Sequence, residues 1–119
     1  MNNNTNMEGL DKVKIIVSAL EEKKAEDIKI IDISEISTLA DYFVITNGTN
    51  KSQTQALADN VEEKLAQAKV YPKHIEGYNS AEWILFDYSD ILVHIFNGRE
   101  NRDYYDLERI WRDGKSVEL

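Results

Sequence analysis

Apolar and polar positions follow distinct periods along the chain, and these periods predict its helices and strands. Residues 81–96 contain two apolar runs, 83–86 and 91–96, in which β-branched and aromatic residues dominate. Each run has the length of a strand, and the polar break at 87–90 has the residues typical of a turn. We expect an antiparallel hairpin in the middle of a sheet. Its near-continuous apolarity predicts helices on one face and a partner on part of the other.

Apolar side chains recur at every third or fourth position in three other segments, which predicts three helices. These segments are 10–20, 57–65 and 104–111. Asn50 and Gln53 have the spacing of a capping pair at the start of the second helix. Pro72, the only proline, is expected to end that helix.

Three further strands are predicted at 27–33, 41–46 and 73–78. Gly48 closes the second of these, where a positive φ would let the chain turn sharply before the helix. The order of strand, turn, helix and strand predicts a right-handed crossover. Together the elements indicate an α/β or α+β fold: a single mixed five-stranded sheet flanked by about three helices.

The length of 119 residues suits one domain, predicted over 8–119 after a flexible tail at 1–7. The N-terminus has no basic start followed by an apolar stretch, so no signal peptide is predicted. No apolar run approaches the roughly 20 residues that span a bilayer, so no membrane partner is expected. The chain has no cysteine, which excludes disulfides and thiolate metal sites and fits a cytoplasmic protein.

The net charge of −8 counts against binding to nucleic-acid phosphates, which requires clustered lysine and arginine. An acidic surface suits a basic protein partner through complementary electrostatics. On charge alone, the favoured interpretation is that the acidity only keeps the protein in solution.

Motifs for enzyme chemistry are almost absent. Neither a phosphate-binding loop nor a dinucleotide-binding glycine pattern occurs. His74 and His94 lie on different predicted strands, and the one Asp-x-Glu, at 106–108, falls in a helical pattern where its carboxylates would not face each other. The turn at 47–49 before a helix could hold an anion, or could be purely structural. We therefore expect no catalysis, metal or cofactor.

Large amphipathic side chains are concentrated in the last third of the chain. Such groups anchor protein interfaces, because they combine apolar area with a polar handle. Trp111 lies on the apolar stripe of its helix and is expected in the core. For Trp83 and the adjacent Tyr104 and Tyr105, interface and core stay equally open, since consecutive helical residues cannot both face one core.

An ordered set of motifs resembles the ribosomal silencing factor family, also called Iojap-like, over residues 8–113. The motifs are Ser-Thr-Leu-Ala-Asp-Tyr-Phe-Val-Ile at 37–45, Gly-Thr at 48–49, Ala-Asp-Asn-Val-Glu at 58–62, Glu-Gly at 76–77, Trp-Ile-Leu-Phe-Asp at 83–87, Val-His-Ile-Phe at 93–96 and Arg-Asp-Tyr-Tyr-Asp-Leu-Glu-Arg-Ile-Trp at 102–111. The resemblance implies a nucleotidyltransferase-like topology in which transferase activity is not expected.

The resemblance also implies a translational repressor. It would bind the large ribosomal subunit through the ribosomal protein numbered fourteen, sterically block joining of the small subunit, and be a homodimer when free. Matching motif positions place six residues at or near the partner interface: Trp83, Leu85, Asp87, His94, Tyr104 and Tyr105. The tryptophan and tyrosines would anchor, the aspartate would meet a basic side chain, and the histidine would orient its neighbours. The alternative is a nucleotide-binding enzyme that keeps the same framework.

Overall fold

A computed structural model describes residues 8–119, which form four helices and one six-stranded sheet. The predicted tail at 1–7 lies outside the described residues. The elements in chain order are α1 (Gly9–Glu22), β1 (Glu26–Asp32), β2 (Tyr42–Gly48), α2 (Lys51–Gln67), β3 (His74–Glu76), β4 (Trp83–Asp87), β5 (Ile91–Asn97), α3 (Arg99–Tyr105), α4 (Leu107–Ile110) and β6 (Lys115–Ser116). No helix in this part of the chain is both long and apolar enough to cross a bilayer.

The sheet has the strand order β3-β4-β5-β2-β1-β6. β2 and β5 run parallel at its centre, and the other neighbours are antiparallel. The prediction of an α/β fold with one mixed sheet and a central hairpin, β4–β5, is confirmed. The sixth strand was not predicted, because β6 has only two residues and exists through its pairing with Ile31 and Asp32.

One face of the sheet, here called the helix face, is covered by α1 and α2. Strand residues such as Val44, Ile84 and Val93 alternate onto it and are fully buried. Leu20 of α1 and Leu57 of α2 belong to the same core cluster. Full burial of one such side chain contributes roughly 1.5–3 kcal/mol to folding, so this layer accounts for much of the stability.

Two predicted turn signals act differently in the structure. α2 ends at Gln67, before Pro72, because Lys69 adopts a left-handed conformation (φ 64°) and the Val70 N–H bonds back to the carbonyl of Leu65 at 2.8 Å. Gly48 does not have the expected positive φ. Packing favours glycine there, since a Cβ would lie 2.9 Å from the Thr54 Oγ1 atom and 3.2 Å from the Thr54 backbone nitrogen.

The predicted C-terminal helix is divided into α3 and α4. Asp106 adopts a left-handed conformation (φ 49°, ψ 49°) that ends one helix and begins the next. α3 packs against β5 and β2 on the sheet face opposite to α1 and α2. The bend therefore places the C-terminal segment across only part of this second face.

Candidate functional site

The second face of the hairpin holds the residues predicted to bind a partner. In β4, Ile84 and Phe86 are buried on the helix face, while Trp83, Leu85 and Asp87 alternate onto the opposite face and are half-buried. The paired β5 residues on that face are Phe96, His94 and Leu92. All but the last residue of β5 are buried, whereas in β4 only the residues on the helix face are buried. The second face is therefore covered at β5 and partly exposed to solvent at β4.

Trp83 and His94 are joined by a side-chain hydrogen bond. The Trp83 indole Nε1–H donates to His94 Nδ1 at 2.8 Å. Because Nδ1 accepts, the proton of the neutral imidazole lies on Nε2. His94 is only 5% exposed, and burial lowers its pKa to about 3. The histidine is therefore an uncharged support beneath the tryptophan at neutral pH.

The Trp83 ring is also held by aromatic contacts on its other sides. Phe96 stacks on it with ring centroids 5.4 Å apart, and Tyr105 lies at 4.7 Å. Tyr105 in turn meets Tyr104 edge to face at 5.1 Å. Tyr104 is 81% exposed, so of the two adjacent tyrosines one packs on the tryptophan and the other projects into solvent.

Asp87 has a local structural role at the far end of the strand. Its Oδ1 atom accepts a hydrogen bond from the backbone N–H of Ser89 at 2.8 Å. Ser89 has a positive φ of 76°, and a carboxylate that bonds two residues ahead stabilises such a turn. One carboxylate oxygen of Asp87 thus stabilises the hairpin turn.

All six predicted residues lie along one strip, which we call the hairpin strip: Tyr104, Tyr105, Trp83, His94, Leu85 and Asp87. His94 differs from the others because it is buried beneath the strip and does not reach its surface. The strip presents a rigid aromatic centre with an apolar and an acidic neighbour. Aromatic anchors held in place in this way are typical of protein interfaces.

A small cavity of about 190 Å³ opens beside the strip, and we call it the notch. Its walls are Glu76, Gly77, Trp83 and Leu85. Glu76 and Gly77 were not among the predicted site residues. The alternating pattern of β3 indicates that Glu76 and His74 share a face of the sheet. It does not indicate that Glu76 lies beside Leu85, which follows only from the pairing of β3 with β4.

A buried arginine, also missed as a functional residue, supports the tyrosine end of the strip. Arg102 is 1% exposed and donates to the carbonyl of Asp27 at 2.7 Å and to Asn47 Oδ1 at 2.9 Å. Its Nε and Nη2 atoms face the two carboxylate oxygens of Glu108 at 3.2 and 3.3 Å. These bonds cross the bend at Asp106 and so tie α3 and α4 to the neighbouring ends of β1 and β2.

The turn that could have held an anion is occupied by the chain's own side chains. Gln53 Oε1 accepts from the backbone N–H of Thr49 at 2.6 Å, and Asn50 Oδ1 accepts from the backbone N–H of Gln53 at 2.8 Å. Donors already satisfied in this way are not free for a phosphate. Within residues 8–119, no cluster of three or more histidine, aspartate or glutamate side chains is arranged to hold a metal ion.

A larger groove, of about 510 Å³, lies between α1 and α2 on the other side of the sheet. Its lining includes Ile15, Ala19 and Ala68 with Lys14 and Lys64. None of the predicted site residues lines it. The larger of these two cavities is therefore not the one beside the hairpin strip.

Comparisons with known proteins agree over nearly the whole chain. A family model described as "Ribosomal silencing factor during starvation" matches residues 6–119. The chain is 35% identical over 113 residues to the ribosomal silencing factor RsfS of Halalkalibacterium halodurans, covering 95% of this chain and 96% of that protein. It is 37% identical over 107 residues to RsfS of Bacillus subtilis, covering 90% of each. A crystal structure of a protein from Chromobacterium violaceum superposes with a TM-score of 0.86 at 35% identity, covering 95% of this chain and 92% of that one.

Proposed function

This chain belongs to the ribosomal silencing factor family, and from that premise we propose that it binds the large ribosomal subunit and blocks joining of the small subunit. Family membership supports a ribosome-associated regulator of translation. The finer proposal is that the contact is made to the basic ribosomal protein numbered fourteen. The protein then acts in the cytoplasm as a repressor, without a catalytic step and without sequence-specific contact to nucleic acid.

The observation that carries this proposal is the hairpin strip on the half-open face of the sheet. An aromatic centre held by three neighbours, with half-buried Leu85 and Asp87 beside it, suits a protein surface better than a small molecule. An interface of roughly 800 Å² per partner is the usual size for a specific complex. The net charge of −8 favours the approach of a cationic partner.

Steric exclusion is sufficient as the mechanism. The described residues measure 44 × 32 × 24 Å along their principal axes. Two surfaces make direct contact only when their atoms approach within about 4–4.5 Å. A protein at least 24 Å thick, bound where the small subunit docks, therefore prevents contacts between the two subunits around it. No covalent bond has to be broken.

Two measurements with purified ribosomal subunits test this function. The protein should pellet with large subunits in a sedimentation experiment and not with small subunits. At saturating protein, large subunits should then fail to form whole ribosomes in a light-scattering assay of subunit joining. Unimpaired joining when the protein is fully bound would contradict the steric mechanism, and absence of binding would contradict the function itself.

A further inference from the structure

The notch beside the hairpin strip has the size of one side chain. Glu76 of β3 lies opposite Leu85 of β4, and Gly77 and Trp83 complete its walls. Its volume of about 190 Å³ is below the 300–1,000 Å³ typical of small-molecule sites. A guest of this size on a protein-binding face is a single protruding group of the partner.

The aromatic wall of the notch is already fixed before a guest arrives. Trp83 is held by His94 through its indole N–H, by Phe96 through stacking and by Tyr105 from the side. A side chain immobilised in the free protein loses little conformational entropy on binding. Its π-system attracts a cation placed over the ring face.

The acidic wall carries a carboxylate with one oxygen available. His74 Nε2 meets Glu76 Oε2 at 2.7 Å, and no described residue bonds Oε1. The Glu76 side chain is exposed at the edge of the sheet, whereas Leu85 supplies an apolar surface next to it. A carboxylate, an indole and a leucine in one cavity match a long side chain that has an apolar stem and a cationic end.

We propose that the notch binds one arginine side chain of the basic ribosomal partner. The aliphatic stem lies along Leu85, the guanidinium stacks on Trp83, and its N–H groups donate to Glu76. Arginine fits better than lysine because its planar head can stack and donate at the same time. This subsite rests on the proposed function for the identity of its partner, while its own chemistry can be tested without the ribosome.

The direct test is an NMR titration of the full chain with acetyl-arginine amide, against acetyl-citrulline amide as the neutral isostere. We expect the arginine compound to shift the indole N–H signal of Trp83 and the methyl signals of Leu85 in a saturable way. The indole signal of Trp111, which lies outside the notch, serves as the internal reference. Glu76→Gln should abolish the shift. Equal shifts with both compounds, or none with arginine, would overturn the proposal.

The second test measures affinity for purified large subunits. Glu76→Gln should weaken binding about five- to thirty-fold, as expected for one charged contact of an interface, and Glu76→Lys should weaken it further. Glu63→Gln, an exposed change of the same charge on α2 across the sheet, is the matched control and should bind as the unaltered protein does. Equal affinity of the Glu76→Gln and Glu63→Gln variants would contradict the arginine site in the notch and would not contradict the proposed function. Failure of the unaltered protein to bind would overturn the proposed function, and the NMR result would then decide on the notch alone.

Discussion

At the scale of single residues, the half-open face depends on an aromatic side chain that is anchored from below. Trp83 uses its only polar group to donate to His94, so its ring is left as a surface for apolar and cationic contacts. His94 accepts this bond because burial keeps its imidazole neutral. The histidine therefore maintains the orientation of the tryptophan, and the ring of the tryptophan is left available for the proposed partner.

Replacing Trp83 with alanine should weaken binding to large subunits by about 2 kcal/mol or more, which is roughly a thirty-fold loss of affinity. The reason is the removal of the central anchor of the hairpin strip. Sedimentation with purified large subunits measures the change. Trp83→Phe is the companion variant, since it keeps one aromatic ring and loses the five-membered ring together with its bond to His94. A folded Trp83→Ala variant with unchanged affinity would exclude this residue from the interface.

Stability should fall between pH 7.5 and pH 5.5 because of His94. Its pKa is about 3 in the folded protein and ordinarily 6.5. Between these values the unfolded chain binds a proton at this histidine and the folded chain does not. The contribution is complete above pH 6.5 and is lost as the pH falls below that value, by about 1.4 kcal/mol at pH 5.5. Urea unfolding at both pH values measures it.

The control for this pH dependence is His94→Gln, which does not titrate and should show a flatter profile. Side-chain hydrogen bonds lower the pKa of three carboxylates, whose stabilisation is lost only as the pH falls below their ordinary values of 4.5 for the glutamate and 3.8 for the aspartates. These groups are Glu22, Asp27 and Asp32. An equally steep loss in the glutamine variant would show that another group is responsible.

At the scale of elements, the bend between α3 and α4 depends on one buried side chain. Arg102 bonds one position near the start of β1, one near the end of β2 and one beyond the bend, and no other described residue makes all of these contacts. Truncating one partner of a buried ionic network leaves the remaining groups unpaired. The position of the two tyrosines on α3 follows from this network.

Replacing Arg102 with methionine should lower the free energy of unfolding by about 3 kcal/mol, because Asn47 Oδ1 and the carbonyl of Asp27 lose their bonds to Arg102 and Glu108 keeps only its pairing with Lys29. Arg99→Met in the same helix is the matched control. Arg99 pairs with Asp27 and Asp103 in solvent, and an exposed pair contributes about 1 kcal/mol or less. Urea unfolding of both variants gives the comparison. Equal effects would mean that burial of Arg102 confers no special role.

The bend between β3 and β4 has a glycine that no other residue replaces without strain. Gly77 has φ +80°, and a Cβ there would lie 2.1 Å from the carbonyl oxygen of Trp83. Gly98 has a similar φ of +87° but open space around it. Gly98→Ala should therefore lower the free energy of unfolding by about 2 kcal/mol through backbone strain alone. Gly77→Ala should lower it by about 4 kcal/mol or prevent folding. Thermal unfolding of the two variants tests the difference, and a milder effect at Gly77 would contradict it.

The sequence allowed prediction of the elements whose signals are local. The hairpin β4–β5 and the helices α1 and α2 follow from periodicity, and Asn50 caps α2 as its spacing with Gln53 predicted. The division of the last helix could not be predicted, because it depends on Arg102 meeting residues far away in sequence. The notch was missed for the same reason, since Glu76 joins Leu85 only through the pairing of two strands.

At the scale of the whole molecule, the two faces of the sheet differ in what covers them. α1 and α2 cover the helix face, whereas the segment after β5 covers only part of the second face. The open part carries the hairpin strip and the notch, and both suit a cationic protein. A free protein with this exposed surface would gain stability by covering it, which supports the proposal that it is a homodimer in the absence of ribosomes.

Self-association and binding to large subunits should exclude each other, because both are expected to use the second face. Analytical ultracentrifugation should show a dimer of the free protein, and the complex should contain one copy per large subunit. Trp83→Ala should weaken both associations in parallel. Two copies bound per large subunit, or a variant that loses only one of the two associations, would contradict a shared surface.

The parallel pairing at the centre of the sheet also affects how the protein is made. Tyr42 pairs with Ile91 and Gly48 with Asn97, so β2 is synthesised about fifty residues before the strand that completes it. During that interval Phe43, Val44 and Ile45, which are buried in the finished fold, lack the strand that pairs with them on one side. Contacts between distant residues form slowly, and exposed strand segments favour aggregation in nascent chains. The protein thus passes through an aggregation-prone stage during its own translation, and pairing of β5 with β2 ends that stage.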